Sequence, residues 1–168
     1  MAVKGEVSIE QIDSIDFKKY GQVIRIPAPD EKKPGFKSNI INFYGALGVF
    51  DAKDTIEFGI CTFKKRDLVI EQLEQHVLTQ ELLYAIDDDF IMPVATNIIQ
   101  NSKNLPDIDN LIAVQLRRGE GVIFNKNTWH WVPFPYKEKS FALVGFIMDT
   151  AKKDLEIFDL KTKIRMIE

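Results

Sequence analysis

Two histidines, His76 and His130, are the only imidazole side chains in the 168-residue sequence, so acid–base and metal-binding groups can be searched for around them. His76 lies in a polar stretch, with Glu74 two residues before it and Glu81 five residues after it. His130 ends a stretch that begins at Gly119. Imidazoles and carboxylates transfer protons near neutral pH, and they also bind divalent metal ions. The sequence therefore offers one candidate centre, made of two histidines and two glutamates.

The local sequence indicates how these groups would converge. Alternate residues of a β-strand point to the same face, so Glu74 and His76 would face one cavity. Asn125 and Asn127 tolerate the positive φ of a tight turn, which would return His130 to the same place. Such a donor set suits a divalent ion such as Mn, Fe, Ni or Zn. In the alternative interpretation, the carboxylates are solvated surface groups and the histidines satisfy local hydrogen bonds.

The elements that would position this centre are short strands. From Asn39 onward, apolar runs of strand length recur with turn-like segments between them, which predicts a β-sandwich or barrel. A short helix is expected over residues 14–21, with Ser14 as its N-cap. Residues 67–76 are compatible with a helix or with a strand. The stretch 27–35 is rich in proline and charge, which predicts an exposed loop that could fold over a site.

The composition is that of a compact soluble protein. Apolar residues make up 45% of the chain and charged residues 28%, and no linker or repeat is visible, so a single domain is expected over residues 1–168. The net charge of -3 argues against a nucleic-acid partner. The sequence lacks a membrane span and a secretory signal, which predicts a cytoplasmic protein. The single cysteine, Cys61, is expected to be a buried thiol.

The two histidine stretches resemble the two cupin motifs in their spacing. The first motif reads H-x-H, then Glu, then Gly after six more residues; its places are held here by Glu74, His76, Glu81 and Asp88. The second reads G, five residues, P-x-G, two residues and H; its places are held by Gly119, Asn125, Asn127 and His130. The resemblance implies an all-β antiparallel barrel of the cupin type, a double-stranded β-helix or jelly roll, with one or two short helices.

Over most of its length the chain also resembles the ureidoglycolate lyase (ureidoglycolate hydrolase) family, small cupin-like enzymes that release urea and glyoxylate in allantoin breakdown. Residues 17–24 resemble the family's F-x-x-[YF]-G-x-V-I, residues 73–76 its L-E-x-H, and residues 126–130 its R-N-x-W-H. The resemblance implies a carbon–nitrogen lyase that acts on a small ureido or hydroxy acid, and it implies a homodimer.

Three departures from the family pattern affect this interpretation. Glu81 stands where the family has an amide, which favours metal binding; Lys126 replaces an arginine, and Trp131 replaces a second histidine. Two alternatives to a ureidoglycolate lyase therefore stay open. One is a metal-dependent cupin enzyme of another specificity, such as an isomerase or oxygenase, and the other is a non-catalytic cupin that binds a small acid.

If the family activity holds, the site must deprotonate the substrate's hydroxyl, protonate its leaving nitrogen and hold its carboxylate. The predicted catalytic residues are His76, Glu81 and His130. The predicted metal ligands are Glu74, His76, Glu81 and His130. The predicted substrate-binding residues are Asn39, Lys126, Asn127 and Trp129. Of these, Lys126 is the expected carboxylate anchor by its match to the family's arginine, although it would act as a point charge.

Overall fold

The computed structural model describes residues 5–168. Its strands are β1 (Glu6–Gln11), β2 (Gly21–Ile24), β3 (Phe36–Lys37), β4 (Asn42–Phe43), β5 (Ile56–Lys64), β6 (Val69–Gln75), β7 (Glu81–Ala85), β8 (Phe90–Ala95), β9 (Asn97–Gln100), β10 (Lys103–Pro106), β11 (Ile112–Leu116), β12 (Gly121–Phe124), β13 (Trp129–His130), β14 (Phe134–Pro135), β15 (Lys139–Ile147) and β16 (Glu156–Ile167). The helix α1 (Thr150–Lys153) joins β15 to β16, and 3₁₀ turns occupy Ile12–Ser14, Phe17–Lys19 and Ile108–Asn110.

Two large sheets build the fold of the described residues, and the pairs β3–β4 and β9–β10 form two small hairpins. Within residues 5–168, six strands close a ring in the order β11, β1, β16, β6, β13 and β8, and β14 attaches to β8. The second sheet has the order β2, β12, β7, β15 and β5 and is antiparallel throughout. The predicted all-β barrel with one or two short helices is confirmed. The ring is mixed rather than purely antiparallel, because β1 runs parallel to both β11 and β16.

Strands β6, β8, β11 and β13 separate two hydrophobic cores. Because alternate side chains of a strand point to opposite faces, Ile91 of β8 packs inside the ring, whereas Met92 packs between the ring and the second sheet. The same alternation divides β13. Trp129 packs inside the ring, so the next residue, His130, faces the space between the sheets. This space contains the candidate site.

The helix expected over residues 14–21 is reduced to the 3₁₀ turn Phe17–Lys19, and its N-cap is Asp16 rather than Ser14. A helix has no room to continue because β2 already begins at Gly21. A Cβ at Gly21 would lie 2.2 Å from the carbonyl oxygen of Ile123, so the two backbones are in close contact. Of the two interpretations of residues 67–76, the strand is correct, as β6 shows.

Two further outcomes concern the surface. Residues 27–35 form the predicted loop, which leads into the short hairpin of β3 and β4. The expected burial of Cys61 is wrong: its side chain is exposed because β5 is an edge strand of the second sheet. None of the helices between residues 5 and 168 has the length and apolar character needed to cross a membrane.

Candidate active site

The two histidines meet between the ring and the second sheet. His76 follows β6, His130 lies in β13, and Glu81 begins β7. The imidazole ring centroids are 5.7 Å apart, and both Nε2 atoms lie 3.0 Å from the same oxygen, Oε2 of Glu81. All three side chains are buried. The structure therefore brings the three predicted catalytic residues into one cluster.

A tight turn holds the two histidine segments together. Asn127 has a φ of 63°, the left-handed conformation that its place before His130 predicted, and its backbone N–H donates to the carbonyl oxygen of His76 at 2.8 Å. Thr128 is tied to the N-terminal segment, since its hydroxyl donates to the carbonyl oxygen of Tyr20 at 2.9 Å. The turn between β12 and β13 therefore fixes the approach of His130 to His76.

The hydrogen bond made by the Nδ1 atom of each histidine indicates where the protons of its imidazole lie. Nδ1 of His76 is 2.5 Å from the carbonyl oxygen of Asp154, and Nδ1 of His130 is 3.0 Å from that of Thr128. A carbonyl oxygen only accepts hydrogen bonds, so each Nδ1 carries a proton. In a neutral ring the lone pair of Nε2 would then face the Glu81 carboxylate. The geometry thus calls for positive charge beside Glu81, either as a proton on each Nε2 or as a metal ion.

Without a metal ion, the electrostatics favour charged imidazoles around a charged carboxylate. Burial disfavours the charged form of His76, but its hydrogen bond to Glu81 and their mutual attraction outweigh this and raise its pKa to about 9. Burial likewise opposes ionisation of Glu81, but attraction and hydrogen bonding to both imidazoles lower its pKa to about 2. The pKa of His130 is raised against burial mainly by its attraction to Glu81.

A second carboxylate, that of Glu74, stands beside this cluster. Its residue pairs with His130 across β6 and β13, and its Oε1 lies 3.9 Å from Nε2 of His130. The side chain is partly exposed, unlike that of Glu81. Burial raises the pKa of Glu74, and this outweighs the lowering by His130. Glu74 is thus a carboxylate with a raised proton affinity at the edge of the centre.

Aromatic side chains close two sides of the histidine pair. The ring of Phe124 is stacked on that of His130, with 4.4 Å between centroids and 10° between planes, and Phe146 lies 6.2 Å from His76. These residues and Asp154 were not found from the sequence. Phe124 and Phe146 occur in ordinary apolar strand runs, and Asp154 lies in a turn with no motif, so no local signal marks them.

The predicted substrate-binding residues are more scattered. Lys126 is exposed in the turn before β13, and Asn39 is exposed at the tip of the hairpin of β3 and β4. Asn127 is half-buried and contacts His76 through its backbone. Trp129 is buried in the ring core, where its indole N–H donates to the side-chain oxygen of Asn97 at 3.1 Å. It therefore lies on the face of β13 opposite to His130.

Three of the four predicted metal ligands lie close together in the structure. One ligand atom from each of His76, Glu81 and His130 lies within 4.8 Å of the others. Ligand atoms at right angles on an ion with bonds of about 2.1 Å are about 3.0 Å apart, as the Nε2 and Oε2 atoms are here. Both Nδ1–H groups bind backbone carbonyls, the usual outer contact of metal-binding histidines. These three residues could hold a metal ion, whereas Glu74 lies outside this group.

Comparison with known proteins agrees with the sequence resemblance. No curated protein matches this sequence. Among solved structures, one of Bacillus subtilis oxalate decarboxylase, from a study of its Mn(II) centres, is similar with a TM-score of 0.39 and 14% identity. The match covers 67% of this chain and 24% of that one, so this chain spans about a quarter of its length. The profile of the ureidoglycolate lyase family matches residues 4–166, nearly the whole chain. The chain belongs to the ureidoglycolate lyase family.

Proposed function

We propose that the protein is a lyase that splits ureidoglycolate into urea and glyoxylate at the centre formed by His76, Glu81 and His130. The family match over residues 4–166 supports the reaction. The observation that carries the choice of site is the contact of both imidazoles with one carboxylate oxygen of Glu81. Both histidines of the chain and one of its buried glutamates are committed to this cluster.

The reaction requires one proton to move. A single carbon of ureidoglycolate bears the hydroxyl, the carboxylate and the ureido nitrogen. When the hydroxyl loses its proton, the C–O bond becomes C=O, the C–N bond breaks, and its electron pair leaves with the nitrogen. The nitrogen then takes up one proton to give urea, so the reaction consumes no net proton.

Glu74 is the proposed proton acceptor for the hydroxyl. Its raised pKa brings it closer to working pH, where a general base is most effective, and its partial exposure leaves it accessible to substrate. His130, 3.9 Å away, is the proposed donor to the leaving nitrogen. Glu81 keeps the imidazoles charged and oriented. In this arrangement, the proposed acid and the proposed base are neighbours at the centre.

A divalent metal ion is a second component that we propose for the centre, held by His76, Glu81 and His130. When bound, it would polarise an oxygen of the substrate as a Lewis acid. Mn, Fe, Ni and Zn all accept imidazole and carboxylate ligands. The two imidazoles would then be neutral, and Glu74 would both accept the hydroxyl proton and return it to the nitrogen. Lys126 stays the proposed carboxylate anchor, since it is exposed in the turn bonded to His76.

Turnover of ureidoglycolate tests this proposal directly. Chelator-treated protein and protein reloaded with Mn, Fe, Ni or Zn are incubated with ureidoglycolate, and glyoxylate and urea are both assayed. We expect the two products in equal amounts, and we expect their formation to be lost in His130→Ala. Absence of glyoxylate from every preparation would contradict the assignment.

A metal-dependent reaction on another small acid is the second candidate, favoured by the carboxylate of Glu81 where the family has an amide. Elemental analysis separates it from the first. Protein that retains a metal ion but leaves ureidoglycolate intact would support this candidate. Protein that cannot be loaded with metal would argue against it, and binding of small acids without turnover would favour a non-catalytic cupin.

We further propose a cytoplasmic location, as expected from the sequence, and a homodimer, as implied by the family resemblance; the edge strand β5 supports the homodimer. Within residues 5–168 this nine-residue strand has a strand partner only on the β15 side. Phe58 and Ile60 are 64% and 58% exposed on it. A long apolar edge of this kind pairs readily with another chain. We therefore propose that two copies associate through β5.

Introducing charge on this edge should separate the copies. We expect Ile60→Lys to be monomeric where the unmodified protein is dimeric, because a buried unpaired ammonium is costly at an interface. Light scattering coupled to size-exclusion chromatography measures the mass. Ile99→Lys, at a 77% exposed position of β9, is the matched control and should remain dimeric. A monomeric unmodified protein, or a dimeric Ile60→Lys, would contradict the proposed interface.

A further inference from the structure

We propose that Asp154 is a positioning residue of this centre, which holds the ring of His76 with its proton on Nδ1 and its Nε2 directed at Glu81. The contacts of Asp154 stand on their own, while the effect on turnover rests on the proposed function. Asp154 lies 78 residues from His76 in sequence, and it is 7% exposed. A buried carboxylate requires partners, and the partners of the Asp154 carboxylate all belong to the segment that carries His76.

Asp154 binds four consecutive residues. Its Oδ1 accepts the backbone N–H of Val77 at 2.8 Å, and its Oδ2 accepts those of Leu78 and Thr79 at 2.7 and 3.1 Å. Its own carbonyl oxygen accepts the Nδ1–H of His76 at 2.5 Å. The side chain therefore fixes the backbone after His76, and the main chain of the same residue fixes the imidazole.

The surroundings of Asp154 keep its carbonyl group in place. Its backbone N–H donates to the carbonyl oxygen of Thr150 at 2.9 Å, which closes α1. Two residues later β16 begins, where Glu156 pairs with Gln75 on β6. On the other side of α1, the N–H of Ile147 donates to the hydroxyl of Thr79 at 3.2 Å. The connection between β15 and β16 is thus bonded to the His76 segment at both ends.

A carboxylate is needed for this arrangement. It offers two oxygens that only accept, and three backbone N–H groups converge on them. An asparagine would offer one accepting oxygen and would direct an N–H₂ group at backbone donors. In Asp154→Asn we therefore expect residues 77–79 to shift and the His76 ring to lose its fixed proton position. Such outer contacts of active histidines usually contribute 10- to 100-fold in activity or metal affinity.

Nitrogen NMR of the histidine rings tests the inference, because the chain contains only two histidines. Metal-free protein without a polyhistidine tag is labelled with ¹⁵N-histidine and observed above the titration of His76. We expect unmodified protein to carry the His76 proton on Nδ1 and Asp154→Asn to show a mixture of both tautomers, with His130 unchanged. We expect kcat/KM for ureidoglycolate to fall about 10- to 100-fold, mainly in kcat.

The matched control is Asp88→Asn. Asp88 is also 7% exposed, and its carboxylate accepts a backbone N–H, that of Lys137, at 2.7 Å. We expect it to lower the melting temperature without changing the His76 signals and with kcat/KM within about threefold of the unmodified protein. An Asp154→Asn protein that matches Asp88→Asn in the His76 signals and in kcat/KM would overturn the proposal.

Two remaining outcomes are also decisive. If Asp154→Asn does not fold, the His76 tautomer of the unmodified protein is the test. A proton on Nδ1 supports the proposal, and a proton on Nε2 overturns it. If the unmodified protein does not convert ureidoglycolate, the proposed function fails. The tautomer comparison still tests the role of Asp154, because it requires no substrate.

Discussion

Replacing Glu81 by glutamine is expected to lower kcat/KM for ureidoglycolate about 10³-fold and to weaken divalent metal binding at least about tenfold. Oε2 of Glu81 contacts both Nε2 atoms at 3.0 Å, and it provides the negative charge that keeps His76 and His130 protonated or holds an ion between them. A glutamine has a similar shape but no charge. Steady-state kinetics and calorimetric titration with Zn or Mn measure the two effects.

Variants of two neighbouring carboxylates serve as comparisons for Glu81→Gln. Glu74→Gln is expected to lose turnover yet keep its metal affinity, because Glu74 is the proposed base and lies outside the metal-binding group. Glu71→Gln removes an exposed carboxylate of the same strand, one that pairs with Lys163, and should change neither property. Full activity of Glu81→Gln would show that the reaction takes place elsewhere.

The stability of metal-free protein is expected to peak between about pH 4.5 and 6.5. The pKa of His76 is raised from 6.5 to about 9, so its contribution is complete below pH 6.5 and is lost as the pH rises through 9. The pKa of Glu81 is lowered from 4.5 to about 2, so its contribution is present above pH 4.5 and is lost as the pH falls through 2. The pKa of His76 is raised mainly by Glu81, whereas the pKa of Glu81 is lowered by both imidazoles, with His130 the larger cause.

Raising the pH from 6.5 to above 9 should therefore reduce the free energy of unfolding by about 3 kcal/mol, which corresponds to about 6–12 °C in Tm. Calorimetry of chelator-treated protein across this range measures the loss. In Glu81→Gln the dependence should be nearly flat, since neither imidazole then has its buried anion. A metal ion replaces the ring protons, so loaded protein should also lose the dependence. An unchanged slope in Glu81→Gln would contradict this explanation.

The convergence of His76, Glu81 and His130 could be anticipated from the sequence because it depends on local rules. Strand alternation places Glu74 and His76 on one side, and Asn127 supplies the left-handed turn before His130. The same alternation separates Trp129 from His130, although their adjacency in one motif suggested a shared role. Local periodicity thus explains both the convergence of the two histidines and the separation of Trp129 from them.

Other features depend on long-range topology, which local patterns do not encode. Asp154 reaches His76 because β16 returns to pair with β6, and nothing in the residues around either position indicates that pairing. The parallel pairing of β1 likewise joins distant parts of the chain. Cys61 was expected to be buried because an apolar strand sequence is the same for a central strand and for an edge strand.

Because strands β6 and β13 separate the two hydrophobic cores, the side chains of the candidate site can change without changes to the core inside the ring. Where β6 pairs with β13, Glu74 and His130 contribute to the candidate site, while their neighbours Leu73 and Trp129 fill the ring. New metal ligands or acids can therefore be introduced at residues that face the site, without disturbing the residues that pack inside the ring. A scaffold built in this way can acquire new substrates while keeping the interior that holds it folded.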